Sequence, residues 1–109
     1  MSLHGKVSFS DQWILENNKM NFRELREYYI IQKSGLFDKY YYLTEYPDVR
    51  KADVDPIKHF IKFGWKQGRN PNRLFRTNAY MMENHEYDFS KTNPFVHYIN
   101  NYHSKTSPN

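Results

Sequence analysis

The side chains able to act as a general acid or base are two histidines and three carboxylates: His59, His97, Glu45, Asp48 and Glu83. An imidazole exchanges its proton near neutral pH, and a carboxylate can orient the imidazole or accept that proton. The spacing places no two of these groups together, so an independent enzyme is a hypothesis but not the favoured one. The chain has no cysteine and no His-Glu-x-x-His pattern, and we therefore expect no metal and no cofactor.

Both histidines occupy the same position of an internal repeat. The stretch 37–72 is followed by a weaker copy, 75–103, which aligns with it without a gap at an offset of 38 residues. Identical residues recur at that offset: Phe37 and Phe75, Tyr42 and Tyr80, Glu45 and Glu83, Pro56 and Pro94, His59 and His97, Ile61 and Ile99. Such self-similarity is typical of repeat architectures, in which neighbouring units bury one another's faces.

The repeat predicts the organisation of the chain. We expect a helical lead-in over 1–35, a first repeat over 36–74, a degenerate second repeat over 75–103 and a disordered tail over 104–109. No stretch alternates between apolar and polar residues as a strand would. The predicted fold is therefore all-α, with short helical-hairpin repeats of about 38 residues stacked behind the N-terminal segment.

Helix start signals recur in both copies. They are Asp38 and the Asp55-Pro56 pair in the first copy, and the Asn93-Pro94 pair in the second copy. An Asp or Asn oxygen can accept the unpaired N–H groups of a first helical turn, and proline fits the first helical position. We interpret all five residues as structural. Each copy is predicted to contain two short helices, the earlier one ending before the proline at position 47.

The helix that begins at Pro56 carries one apolar stripe, formed by Ile57, Phe60, Ile61, Gly64 and Trp65. Gly64 is predicted to end this helix or to allow the close approach of another backbone segment. His59 lies off the stripe. We interpret His59 and His97 as rings wedged between helices and bonded to a carboxylate or a carbonyl. A general base or a metal ligand is the alternative.

The lead-in contains a capping box, Asn21 with Glu24, which predicts a helix over 22–34 ended by Gly35. Its apolar stripe is expected to be Phe22, Leu25 and Tyr29, widened by Tyr28, Ile30 and Ile31. A shorter helix is expected to begin at Ser10 and Asp11.

Composition constrains the core and the partners. Aromatic residues make up 18% of the chain, with ten tyrosines and eight phenylalanines, so the core must consist largely of rings. The net charge of +4 permits a polyanionic partner without requiring one. No apolar run is long enough to span a membrane. Basic and aromatic residues together also suggest nucleic-acid binding, but the cations are scattered among twelve acidic residues, which argues against it.

Three runs carry a resemblance to a known family: SGLFDKYYYLTEYPDV, DPIKHFIKFGWKQGRNPN and the LF that follows them. They resemble a bacterial helical repeat found in and beside glycosyltransferases of cell-surface polysaccharide biosynthesis. The likeness is close over 34–75, weaker over 75–102 and absent before Gln32. Gln67 stands where the repeat usually has Glu, and residues 84–87 replace its Pro-Asp-Val turn.

The resemblance implies that this chain is an accessory module of the carbohydrate-binding type, or an excised piece of a larger glycosyltransferase-type protein. It implies a bacterial cytoplasmic location, with peripheral membrane association left open. The family's repeat contributes no catalytic residue to this chain, and the parent protein is where transferase activity would reside.

Aromatic side chains left exposed could stack on sugars or contact a partner protein. The candidates are Trp65, Tyr40, Tyr46 and Tyr102, with Lys66 and Arg69 beside Trp65. The alternative is that the rings belong to the core and that Arg69 bonds the Asp48 carboxylate. A scaffold that dimerises through an open repeat face is a further hypothesis.

Overall fold

The computed structural model describes residues 19–103, and within that range the fold is all-helical with no strand, as predicted. The helices are α1 (Phe22–Ser34), α2 (Lys39–Glu45), α3 (Pro47–Ala52), α4 (Pro56–His59), α5 (Thr77–Glu83) and α6 (Pro94–Tyr98). π-helical turns, Phe60–Gly64 and Ile99–His103, extend α4 and α6. The helix predicted at Ser10 and Asp11 and the predicted tail lie outside the described residues.

The predicted helix starts are confirmed. Side-chain oxygens accept first-turn N–H groups in three places: Asp38 from Tyr41, Asp55 from Ile57 and Lys58, and Asn93 from Val96. Pro56 and Pro94 open α4 and α6. The capping box of α1 is present in both directions, and α1 ends at a left-handed Gly35 with φ 71°.

One helix lies where the sequence predicts a turn. Pro47 opens α3 directly after α2, with a single residue, Tyr46, between the two helices. Proline is favourable at a first helical position because its missing N–H would have no intrahelical acceptor there. Val49 and Ala52 are buried on the inner side of α3. Proline therefore ends α2 and also begins a new helix.

The apolar stripe of α4 and its π-helical turn is buried as predicted. Ile57, Phe60 and Ile61 are 0–3% exposed, whereas Trp65 is half-buried at the margin. A 3-10 turn, Trp65–Gln67, follows, and the left-handed residue that ends it is Gly68, with φ 77°. The helix end is therefore not at Gly64. Gly64 does allow a close approach, but by a side chain and not by the backbone predicted, because the Tyr42 hydroxyl lies against it.

The core is built from rings and branched aliphatic side chains contributed by every helix except α5. Its buried members are Ile31, Tyr42, Val49, Ile57, Phe60, Ile61, Phe75, Phe95, Val96 and Ile99. Half-buried rings such as those of Phe37, Tyr46 and Tyr80 pack around them. Within the described residues, no buried side-chain nitrogen or oxygen lacks a hydrogen-bond partner.

The prediction that the apolar stripe of α1 is buried is wrong. Phe22, Leu25 and Tyr29 are 91%, 52% and 59% exposed. The buried residues of α1 are Glu27 and Ile31, of which only Ile31 had been included at the margin of the predicted stripe. The helix is therefore turned with Phe22, Leu25 and Tyr29 toward the surface.

Polar bonds to the starts of other helices account for this orientation. Glu27 accepts hydrogen bonds from the backbone and side-chain nitrogens of Asn93, each at 3.2 Å. Tyr28 donates its hydroxyl proton to Asp55. Asn93 and Asp55 are the N-caps of α6 and α4, so α1 holds both helices by their first turns. Burial raises the pKa of Glu27, and the bonds from Asn93 oppose that rise.

Gly64→Ala is expected to lower the free energy of unfolding by about 2 kcal/mol, although alanine favours helices. A Cβ atom at this position would collide with the hydroxyl of Tyr42, which His59 holds in place. Urea denaturation measures the loss. The control is Gly35→Ala, where a Cβ meets nothing within 4 Å and only the left-handed φ causes strain. A Gly64→Ala chain as stable as the original would show that Tyr42 is free to move.

Candidate functional site

Tyr42 on α2 and His59 at the end of α4 form a buried pair. Their Oη and Nδ1 atoms are 2.9 Å apart, a hydrogen-bond distance, and both residues are at most 2% exposed. Burial, with a smaller effect from the nearby Arg69 cation, lowers the pKa of His59 from 6.5 to about 4. Burial raises the pKa of Tyr42. The pair is therefore uncharged at neutral pH.

Tyr80 on α5 and His97 on α6 form a second pair with the same spacing of 17 residues. The Oη and Nδ1 atoms of this pair are 2.6 Å apart, and both residues are half-buried. Burial raises the pKa of Tyr80 to about 12 and lowers the pKa of His97. This pair is also uncharged at neutral pH, and it lies closer to solvent than the first.

Each pair belongs to a cluster of four rings. The first ring cluster is Phe37, Tyr42, His59 and Phe60, and the second ring cluster is Phe75, Tyr80, His97 and Tyr98. Each member of the second follows its counterpart by 38 residues. The Phe–Tyr centroid distances are 5.2 and 5.1 Å, and the Tyr–His distances are 5.8 and 5.7 Å. The tyrosine meets the fourth ring edge-on in both clusters, at 83° and 87°.

Nδ1 of His97 pairs with the Tyr80 hydroxyl and not with the carboxylate or carbonyl that we expected. Nδ1 of His59 likewise pairs with the Tyr42 hydroxyl. The signal in the sequence was the tyrosine 17 residues before each histidine, present in both copies. Two side chains that recur together at a fixed separation can be partners within one unit.

The carboxylates of the acid–base hypothesis do not complete a catalytic site with the histidines. Asp48 accepts two hydrogen bonds from the Arg69 guanidinium, at 3.0 and 2.9 Å, and this pairing lowers the Asp48 pKa. Glu45 and Glu83 are exposed. Among residues 19–103, no group of three His, Asp or Glu side chains is placed to hold a metal ion.

Two of the candidate binding residues are held in contacts within the fold. Besides bonding Asp48, the Arg69 guanidinium lies over the ring of Tyr46, 4.7 Å from its centroid. The Tyr46 hydroxyl accepts the backbone N–H of Asn70 at 2.9 Å. Tyr46 and Arg69 therefore anchor the segment that leaves the 3-10 turn.

The other candidates are dispersed. The indole N–H of Trp65 donates to the Ile61 carbonyl at 3.1 Å, and the Lys66 ammonium lies 5.8 Å from the Trp65 ring. Tyr40 is 78% exposed and Tyr102 is 51% exposed. A ligand-binding role for each of the six residues stays a prediction, and Tyr102 is the one among them that lines the cleft described next.

An open cleft of about 620 Å³ lies beside the second ring cluster. Its aromatic walls are Phe75, Tyr80, Tyr98 and Tyr102, and its polar groups include Arg76, Glu83 and Asn84. Tyr98 and Tyr102 stack on each other at 5.9 Å with an angle of 24°. Ring faces next to a carboxylate, an amide and a guanidinium can bind a sugar or a short peptide.

Comparison with known proteins adds no identity. No family model, curated protein or solved structure matches this chain. Within the described range, no helix has the length and apolar character needed to cross a membrane. The function proposed below therefore rests on the cleft, the ring clusters and the resemblance of residues 34–75 to the bacterial repeat.

Proposed function

We propose that this chain is a non-catalytic helical repeat module of a glycosyltransferase-associated protein of polysaccharide biosynthesis, and that its role is to bind a glycan or a partner protein. The observation that carries the binding role is the open aromatic cleft beside the second ring cluster. The likeness of residues 34–75 to the bacterial repeat supports the biological setting, with the module in the bacterial cytoplasm or at the membrane periphery.

The module would consist of two stacked copies with a period of 38 residues. The matching ring distances and angles of the two clusters support this arrangement, since the same residues at the same spacing bury the same faces. Phe95 supports stacking because its ring contacts Phe60 at 5.9 Å and Phe75 at 5.0 Å, one residue from each stretch. The divisions at residues 36 and 75 belong to this proposal.

A binding role without catalysis is supported by the state of the two Tyr–His pairs. A general base needs a pKa near the working pH and access to a substrate proton. The pKa of His59 is about 4, and the residue is 2% exposed, so it meets neither condition. His97 is more accessible, but its pKa is also lowered and its Nδ1 faces Tyr80.

A scaffold that self-associates is the second candidate function. It is favoured by Phe22, Leu25 and Tyr29, the exposed apolar side chains that follow one another along α1. Exposed apolar surface of this kind is common where proteins associate. A dimer whose sedimentation coefficient reverts to that of a monomer in Phe22→Glu would support this function.

An amide NMR titration tests the binding role. The ligands are a digest of bacterial polysaccharide, a tryptic peptide pool, a sugar nucleotide and a single-stranded oligonucleotide, each at low and moderate salt. We expect the digest or the peptide pool to shift the amides of Arg76, Asn84 and Tyr102. Tyr102→Ala should abolish the response, whereas Tyr40→Ala, which removes a more exposed ring outside the cleft, should retain it.

Three outcomes would contradict this function. Turnover of the sugar nucleotide would make the chain an enzyme. Binding of the oligonucleotide that fades steeply as salt rises would favour the nucleic-acid alternative. No response at the cleft to either the digest or the peptide pool would leave the binding role without its site.

A further inference from the structure

The positions that line the cleft have counterparts in the first copy. There residues 70–73 of the chain contact several of them, and an open pocket of about 760 Å³ remains beside Leu36, Phe37 and Asp38. Residues that line the cleft include Leu74, Arg76, Ala79 and Asn84. Their counterparts 38 residues earlier are Leu36, Asp38, Tyr41 and Tyr46. The chain segment that contacts the first-copy positions therefore indicates what kind of segment fits the cleft.

Four consecutive residues, Asn70 to Arg73, contact these four positions in the first copy. The contacts are Asn70 N–H to Tyr46 Oη at 2.9 Å, Asp38 N–H to Pro71 O at 2.9 Å, Asn72 Nδ2 to Leu36 O at 2.8 Å, and the Arg73 guanidinium over the Tyr41 ring at 5.6 Å. Pro71 is buried by this arrangement. An Asn-Pro-Asn-Arg segment that bends at residues 71–73 is therefore the intramolecular occupant of that surface.

The second copy keeps the walls of this seat, and among the described residues, 19–103, these walls border the open cleft. The second ring cluster has the same ring geometry as the first, and the backbone N–H of Arg76 stands where that of Asp38 donates to Pro71. Ala79 replaces the larger Tyr41, and Tyr102 stands at the position of Gly64. The site thus lacks the ring of Tyr41 and gains the ring face of Tyr102.

Carboxylates at and beside the cleft also match the segment, although the cation Arg76 lines the cleft where the first copy has Asp38. In the first copy, the cation that precedes Asn70 is Arg69, which a carboxylate, Asp48, holds with two bonds. In the second copy, Glu83 lines the cleft, and Glu86 lines an adjoining pocket that shares Glu83. A cation next to the proline of a bound segment would therefore lie near carboxylates, as Arg69 lies near Asp48 in the first copy.

We propose that the cleft binds a proline-containing, cationic peptide segment of a partner protein, of the Arg-Asn-Pro-Asn type, in the manner in which the first copy binds its own residues 70–73. This inference rests on the proposed function and names the partner class of the same site. Proline fixes its own φ and so reduces the conformations of the free peptide, which lowers the entropy lost on binding.

The test uses the whole chain and a blocked peptide, acetyl-Gly-Arg-Asn-Pro-Asn-Arg-amide, which has the sequence of residues 68–73. We expect saturable shifts at the amides of Arg76, Asn84 and Tyr102, with a Kd on the order of 1 mM. The same peptide with alanine in place of proline should bind about threefold more weakly or worse. Glu83→Gln should weaken binding about threefold, whereas Glu45→Gln, its counterpart outside the cleft, should leave it unchanged.

Several results would overturn the proposal. They are the absence of shifts, equal binding of the proline and alanine peptides, or shifts at these amides with the polysaccharide digest but not with the peptide. In the last case the proposed binding role would stand and only the partner class would be wrong. Shifts that depend on protein concentration without peptide would identify a second copy as the occupant. If deletion of residues 104–109 moved the same amides, the occupant would be the chain's own C-terminal segment.

Discussion

Phe60→Ala is expected to lower the free energy of unfolding by about 3–5 kcal/mol. The ring is fully buried and contacts Phe37, Tyr42 and Phe95 at centroid distances of 5.8, 6.2 and 5.9 Å. Removing it leaves a cavity among rings that helices hold in place, so the surroundings collapse only partly. Because Phe95 lies on α6, the substitution also removes a contact between the two copies. Urea denaturation at pH 7, followed by circular dichroism, measures the loss.

Tyr98→Ala is the matched control, because Tyr98 has the position of Phe60 in the second ring cluster but is only half-buried. Its ring borders the open cleft, where water can replace it. We expect a loss of about 1–2 kcal/mol, since less apolar area is buried there. Equal losses for the two variants would show that the first cluster is not the better packed of the two.

Lowering the pH from 7 to 4 is expected to remove about 3 kcal/mol of stability through His59 alone. In the folded chain its pKa is about 4, whereas an unperturbed histidine titrates near 6.5. Between these values the unfolded chain binds a proton that the folded chain does not, so stability falls as the pH falls. The contribution is complete above pH 6.5 and is lost on the way to pH 4.

The groups around His59 explain the size of this effect. Its Nδ1 faces the Tyr42 hydroxyl, and its ring packs against Phe63 at 5.7 Å. Of the nearby charges, the Arg69 cation disfavours protonation of His59 and the Asp48 carboxylate favours it. Burial is the largest cause, because the imidazolium would have to give up its hydration.

The variant His59→Gln separates the contribution of His59 to the pH dependence of stability from the contributions of the carboxylates. The variant is expected to be less stable than the original at pH 7, because it disturbs the buried pair. The difference between the two chains should shrink by about 3 kcal/mol as the pH is lowered to 4, because only the original has this titrating ring. A difference that stays constant with pH would contradict the assignment of a neutral, buried His59.

Local signals in the sequence predicted the local structure well. The capping residues Asn21, Asp38, Asp55 and Asn93 act on N–H groups within three residues of themselves, so their partners are known from the sequence. The end of α1 at Gly35 follows from the same short range. The structure of the segment after Tyr46 is harder to predict, because proline is compatible both with a turn and with the first position of a helix.

Long-range polar partners were not predictable from apolar patterns. The stripe of α1 was assigned by counting apolar residues, yet Glu27 and Tyr28 are the residues that reach the N-caps of α6 and α4. Free N–H groups and capping side chains at a helix start attract such partners, and satisfying them outweighed the burial of Phe22. The spacing of apolar residues along a short helix carries no information about such distant polar bonds.

The sequence by itself determined an all-helical chain, the positions at which its helices begin and the recurrence of Tyr–His positions at one spacing. These features depend on neighbours within a few turns or on identity between two stretches. The tertiary structure alone decided which face of α1 is buried, that Nδ1 of each histidine pairs with a tyrosine, and that the segment Asn70–Arg73 packs against residues 36–46. These features depend on contacts between residues far apart in the chain, whose geometry is set only when all the helices pack together.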